Sequence, residues 1–109
     1  PGGENISPIK IENDLLKIDF VEQTLVYGDN KPYLVALLVL NKEKPNITDE
    51  IILKELEIVN KNLSKIEKIK KFIVIKDQFT IENGLVTPTL KLKRYKIIQK
   101  YKNHLENLY

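Results

Sequence analysis

Residues 21–40, VEQTLVYGDNKPYLVALLVL, decide the fold class of this chain. Residues 33–40 are almost wholly apolar. A short, unbroken apolar run of this kind reads as a central strand covered on both faces. Residues 21–27 read as a second strand, rich in Val, Thr and Tyr. Between the two stands Gly28-Asp29-Asn30-Lys31-Pro32, a cluster of turn formers. The stretch is therefore a β-hairpin with a short loop.

Upstream of the hairpin, Ser7-Pro8 is a helix start: serine caps, and proline fits the first turn. Ile11, Leu15 and Ile18 then share one face, which predicts a short helix over residues 8–17. Downstream, residues 41–46 form a polar loop. Thr48 caps a second helix, with Asp49 and Glu50 favourable in its first turn. Ile52, Leu56, Val59 and Leu63 recur there at helical spacing. Ser64 opens a further short helical turn through residue 70. Residues 72–76 read as the third strand. Residues 78–89 are irregular, with Asn83-Gly84 as a turn signal. A last helix is expected over residues 92–107, with Ile98, Tyr101, Leu105 and Leu108 as its apolar stripe. The order α-β-β-α-β-loop-α predicts the α+β class: a small mixed or antiparallel three-stranded sheet flanked by helices.

The chain has 109 residues, which predicts a single domain over residues 1–109. It is 42% apolar and 30% charged, the balance of a globular chain with a real core. It has no cysteine and one histidine, so a disulfide framework and a Cys/His metal site are both excluded. A Ser-His-Asp or Cys-His mechanism would have to use His104. No apolar run approaches the roughly 20 residues of a membrane span. Together with the missing cysteine this reads as a cytoplasmic protein. The opening PGGEN lacks a methionine and is expected to be the start of a fragment.

The net charge is +3, and the bases are unevenly placed. Lys61, Lys65, Lys68, Lys70, Lys71 and Lys76 form one cluster. Lys91, Lys93, Arg94, Lys96, Lys100 and Lys102 form another. A small basic module for nucleic acid or anionic lipid would use such clusters. A solvated lysine-rich face is the better account of them. Arg94 is the sole arginine, which argues against nucleic acid, because arginine makes the bidentate phosphate and guanine contacts.

Two irregular segments could carry chemistry. One is Gly2-Gly3-Glu4-Asn5-Ile6-Ser7-Pro8, where consecutive glycines allow a backbone to approach a ligand closely. By composition it fits a flexible end as well. The other is residues 81–94. There Thr87-Pro88-Thr89-Leu90-Lys91 sets a lysine at the mouth of the last helix, with Pro88 stiffening the approach. A lysine so held can stabilise charge developing on phosphoryl or carboxylate oxygens. By its residues alone it is also a solvated lysine in a lysine-rich helix.

Three stretches, in order, resemble the C-terminal domain of AMP-forming acyl-CoA synthetases. GGENISPIKIEN (residues 2–13) is similar to the loop that follows that family's hinge. VEQTLVYGDNKPYLVALLVLN (residues 21–41) resembles its hairpin. FTIENGLVTPTLKLKR (residues 79–94) closely resembles the closing motif of the long-chain fatty acid subgroup. The resemblance implies a small lid that rotates between two half-reactions. ATP, with Mg2+, and a fatty acid give an acyl-adenylate and pyrophosphate; CoA then gives acyl-CoA and AMP. The implied partner is a large N-terminal adenylate-forming domain, and the parent enzyme could associate peripherally with a membrane.

Carried over residue by residue, Lys91 matches the adenylation lysine, and its spacing from Pro88 favours it over Lys93 and Arg94, which stand as auxiliary candidates. Many relatives have glycine just before that lysine; here it is Leu90. Gly3, with Gly2, matches the pantetheine-side loop. Asn5 stands where several relatives carry arginine. Glu12 matches a helix acid of the same motif with a structural role. The hinge residue, the phosphate-binding loop and the adenine-binding motif are absent from these 109 residues. The chain by itself is thus expected to bind no cofactor and no metal, and to be inactive.

Overall fold

A computed structural model describes residues 6–109. Gly2, Gly3 and Asn5 lie outside the described residues. The elements are α1 (Pro8–Leu15), β1 (Val21–Tyr27), β2 (Leu34–Leu40), α2 (Asp49–Asn60), a 3-10 turn (Lys65–Glu67), β3 (Ile69–Ile75), α3 (Arg94–Lys100) and α4 (Lys102–Glu106). One three-stranded sheet has the order β1-β2-β3. β1 pairs antiparallel with β2, and β2 pairs parallel with β3. The sheet is therefore mixed, as expected of the α+β class. The parallel pair requires a crossover, and α2 supplies it.

β2 is the centre of the molecule, and its alternate side chains build two cores. Leu34, Ala36 and Leu38 pack with Ile11 and Leu15 of α1 and Ile52 and Leu56 of α2. Val35, Leu37 and Val39 pack with Phe79, Leu85 and Val86 of the loop after β3, and with Ile97, Tyr101 and Leu105 of α3 and α4. Ile11, Leu15, Leu25, Leu37, Leu38, Ile97 and Leu105 are fully buried. Burying each such side chain contributes about 1.5–3 kcal/mol.

The caps follow the sequence. Ser7 Oγ accepts from the Lys10 amide, and Thr48 Oγ1 from the Ile51 amide. Gly28 is tightly packed, because a Cβ there would run into the Leu34 side chain and lie 3.0 Å from the Tyr33 carbonyl oxygen. Among the described residues no helix is long and apolar enough to cross a membrane.

Three expectations need correction. β3 starts at Ile69, not at residue 72, and the preceding helical turn ends at Glu67. The cause is Asn60, whose side chain pairs with both the amide and the carbonyl of Ile69, each at 2.9 Å. Lys70, expected in the helical turn, and Lys71 both lie on the edge strand β3, where lysines stand in solvent and discourage mispairing. The last helix starts at Arg94, not at residue 92, because Leu92 forms a β-bridge with Val86. It is also broken at Tyr101, which has φ −106° and ψ 20°. Its buried stripe accordingly runs through Ile97, Tyr101 and Leu105, with Ile98 and Leu108 only partly covered.

The C-terminal residues are tied to the hairpin loop. The Tyr27 hydroxyl donates to Glu106 at 2.7 Å, and Lys31 pairs with the same carboxylate at 2.5 Å. The Tyr109 hydroxyl donates to the Tyr33 carbonyl at 2.7 Å, and the two rings lie 4.8 Å apart. The hydrogen bond to Glu106, with burial second, pushes the Tyr27 phenol up to about 12. The Lys31 and Tyr27 hydrogen bonds hold Glu106 below its ordinary 4.5. The signs follow. A raised phenol contributes stability that is whole below its ordinary pKa of 10.0 and is lost as pH climbs towards 12. A depressed carboxyl contributes stability above 4.5 that is lost as pH falls. Thermal denaturation against pH should therefore show a plateau with a fall on each side. Glu106→Gln should lower the plateau and flatten both limbs; unchanged limbs would refute this account of the lock.

Candidate functional site

The segment after β3 is held by side chains that replace regular pairing. The Gln23 side chain donates to the Phe79 carbonyl and accepts from the Phe79 amide, both at 2.8 Å. This attaches the segment to β1 as a strand would. Asn83 Oδ1 then accepts from the amides of Thr80 and Leu85, and Gly84 turns the chain at φ 79°. Phe79, Leu85 and Val86 enter the second core from this turn.

Residues 85–93 form a small hairpin of their own. Val86 bridges Leu92, the Lys93 amide donates to the Leu85 carbonyl, and the Thr87 amide donates to the Lys91 carbonyl, the last two at 2.8 Å. The Lys91 amide returns to Thr87 Oγ1 at 3.0 Å. Pro88, Thr89 and Leu90 make the tip. The Leu90 amide closes the turn on the Thr87 carbonyl at 2.8 Å, and Leu90 itself is left-handed at φ 67°. A turn followed by one left-handed residue is a standard three-residue hairpin loop, and glycine is the usual occupant of that position. This is the physical reason a glycine suits the position before the lysine.

Leu90 thus holds a backbone conformation that costs an L-residue about 1–2 kcal/mol. It is also 74% exposed, so its side chain gains little within this chain.

Lys91 is exposed at the edge of this loop, and among the described residues its side chain has no carboxylate partner. It precedes α3 by three residues instead of standing at the helix mouth. It overlooks an open groove of 560 Å³ between α1, β1 and the hairpin tip. Exposed apolar side chains rim the groove: Ile9, Leu16 and Leu90.

Glu12 and Arg94 line the same groove. Glu12 is only 5% exposed. Its Oε2 accepts from the Val26 amide at 2.7 Å and from Arg94 Nη1 at 2.9 Å, and Arg94 Nη2 donates to its Oε1. The structure thus brings Lys91, Arg94 and Glu12 together. Lys93 instead occupies the N-cap of α3 and is half-buried. By its motif Glu12 is a structural acid, and nothing local signals its pairing, since its partner lies 82 positions away. The one signal was its place beside Ile11, on the buried side of a helix where a charge requires a partner. Among the described residues, no three His, Asp or Glu side chains converge as a metal cradle.

Replacing Leu90 with glycine should relieve the left-handed strain. The gain is partly offset by the greater freedom of glycine in the unfolded chain, about 0.4–1 kcal/mol. Urea denaturation should show Leu90→Gly more stable by about 0.5 kcal/mol, and Leu90→Ala no more stable than the parent. A destabilised glycine variant would contradict the strain.

The comparisons with known proteins agree with this architecture. The family described as AMP-binding enzyme C-terminal domain matches residues 2–109. The chain is 34% identical over 114 residues to a chloroplastic long-chain-fatty-acid–[acyl-carrier-protein] ligase of Arabidopsis thaliana, covering 98% of this chain and 16% of that protein. It is 28% identical over 129 residues to a long-chain-fatty-acid–CoA ligase of Mycobacterium tuberculosis, covering 99% of this chain and 22% of that one. The adenylation domain of a carboxylate reductase from Mycobacterium chelonae superposes with a TM-score of 0.88 at 32% identity, over 98% of this chain and 18% of that chain. The chain therefore spans about a fifth of the length of these relatives or less. With its mixed sheet, its two helical layers and a match along nearly its whole length, the chain belongs to the C-terminal domain family of the AMP-binding, adenylate-forming acyl-activating enzymes.

Proposed function

We propose that this chain is the lid of an AMP-forming long-chain fatty acid–CoA ligase, and that Lys91 is its adenylation lysine. The observation that carries the reading is the placement of Lys91. An exposed ammonium, without a carboxylate partner among the described residues, stands at the edge of a hairpin tip that is braced by backbone bonds on both sides. The relatives named for long-chain fatty acids support the acyl class.

In the first half-reaction a carboxylate oxygen attacks the α-phosphorus of ATP, bound with Mg2+ in a large N-terminal domain, and the bond to pyrophosphate breaks. Two anions must approach each other, and the transition state concentrates charge on the α-phosphoryl oxygens. A fixed ammonium between them lowers that cost most where water is excluded. In the second half-reaction the CoA thiolate attacks the acyl carbonyl, and AMP leaves. Lys91 is not needed there. Gly2 and Gly3 serve this step on the pantetheine side, after the lid has turned. Asn5, Lys93 and Arg94 stand as auxiliary candidates in this scheme. We place the parent enzyme in the cytoplasm, with peripheral association with a membrane.

In the enzyme that carries this chain, Lys91→Ala should slow adenylation by about 10²–10³-fold, measured as pyrophosphate release. Thioester formation from supplied acyl-adenylate should be nearly unchanged. Equal losses in both half-reactions would sink the assignment. The 109-residue chain alone should form no acyl-CoA from ATP, palmitate and CoA; product above background would contradict a lid without its nucleotide site.

A further inference from the structure

We infer that Glu12 and Arg94 are a positioning pair that sets the direction of Lys91 during adenylation; this rests on the reading of Lys91 just proposed. Glu12 is the only charged residue among the described ones that is buried. Its carboxylate takes three donors: the Val26 amide, Arg94 Nη1 and Arg94 Nη2. Both oxygens are thereby engaged, so the carboxylate cannot turn without losing a bond. Arg94 is the only arginine of the chain. Within the second basic cluster it is also the only member whose charge meets a carboxylate among the described residues.

An ion pair with one buried member is a poor way to stabilise a fold, because desolvating Glu12 offsets much of the attraction. An apolar side chain at position 12 would extend the core that Ile11 and Leu15 already build. What the pair supplies instead is direction. The planar fork of arginine engages a carboxylate in one geometry, which lysine does not impose.

That geometry is transmitted over a short distance. Arg94 opens α3, three residues after Lys91. Between them the Lys93 amide is bonded to the Leu85 carbonyl at 2.8 Å. The stretch from Lys91 to Arg94 is thus clamped to the second core at Leu85 and to α1 at Glu12. Without the second clamp, the hairpin tip keeps its own bonds but loses its bearing on α1 and β1. The ammonium of Lys91, at the end of a flexible stem, depends on that bearing. A misplacement of about 1 Å in a positioning group can cost 10²-fold in rate.

The test uses Arg94→Lys and Glu12→Gln, with Lys91→Ala as the reference. Glu12→Gln keeps an acceptor for the Val26 amide, so it carries the test if Arg94→Lys fails to fold. In the enzyme that carries this chain, each pair variant should slow adenylation by about 10–100-fold in kcat, with less than about twofold change in KM for ATP. Thioester formation from supplied acyl-adenylate should hold. In the 109-residue chain, the amides of Lys91 and Lys93 should exchange with solvent at least tenfold faster, while those of β2 keep their protection. Equal losses in both half-reactions, or a general loss of protection, would overturn the inference in favour of a merely structural pair. If Lys91→Ala cripples adenylation and the pair variants do not, the inference falls and the lysine assignment stands. If Lys91→Ala leaves adenylation intact, both fall.

Discussion

Everything in this domain depends on a strand with no solvent side. Leu34, Val35, Ala36, Leu37, Leu38 and Val39 of β2 are all buried. One layer cannot cover both faces of a sheet, so the strand requires α1 and α2 on one side, and α3, α4 and the post-β3 segment on the other. The otherwise irregular residues 76–93 are therefore structural. They form part of a core, which is why Gln23, Asn83 and Thr87 side chains take the place of missing ladder bonds.

The same arrangement produces the site. Packing the post-β3 segment against Val35, Leu37 and Val39 brings its hairpin to the outer side of β1. There it meets α1, which arrives from the opposite face of the sheet. Glu12 and Arg94 join across this seam between the two layers, and Lys91 stands just beyond it. The frame is rigid where it meets the core, while the lysine is free where it meets solvent. That division suits the lid proposed above, which would carry a charge into a neighbouring site without deforming on arrival. The exposed Ile9, Leu16 and Leu90 around Lys91 fit the same use, since a lid has a face that is covered only when it closes.

Legibility followed the range of the interaction. The hairpin, both capped helices and the third strand were readable because their causes are local: alternation, turn residues, Ser7 and Thr48. The start of β3 was not, because the Asn60 clamp on Ile69 bridges two elements. The start of the last helix was misplaced because Leu92 has helical neighbours but a β partner, Val86. Lys91 could be picked out by its motif, yet a leucine at position 90 gives no sign of the left-handed backbone that turns the chain there.

The sequence by itself determined the class of the fold, its element order and the family resemblance. Periodicity and turn chemistry act over a few residues, and the residues that impose them are adjacent in the chain. Only the tertiary structure decided that the sheet is mixed, that Glu12 is paired, and that the Arg94 side chain belongs to the frame while the Lys91 side chain does not. The reason is physical. A buried carboxylate and the arginine that neutralises it must meet in space, and 82 positions of chain separate them here. No local pattern encodes a contact of that kind until two layers have folded onto one strand.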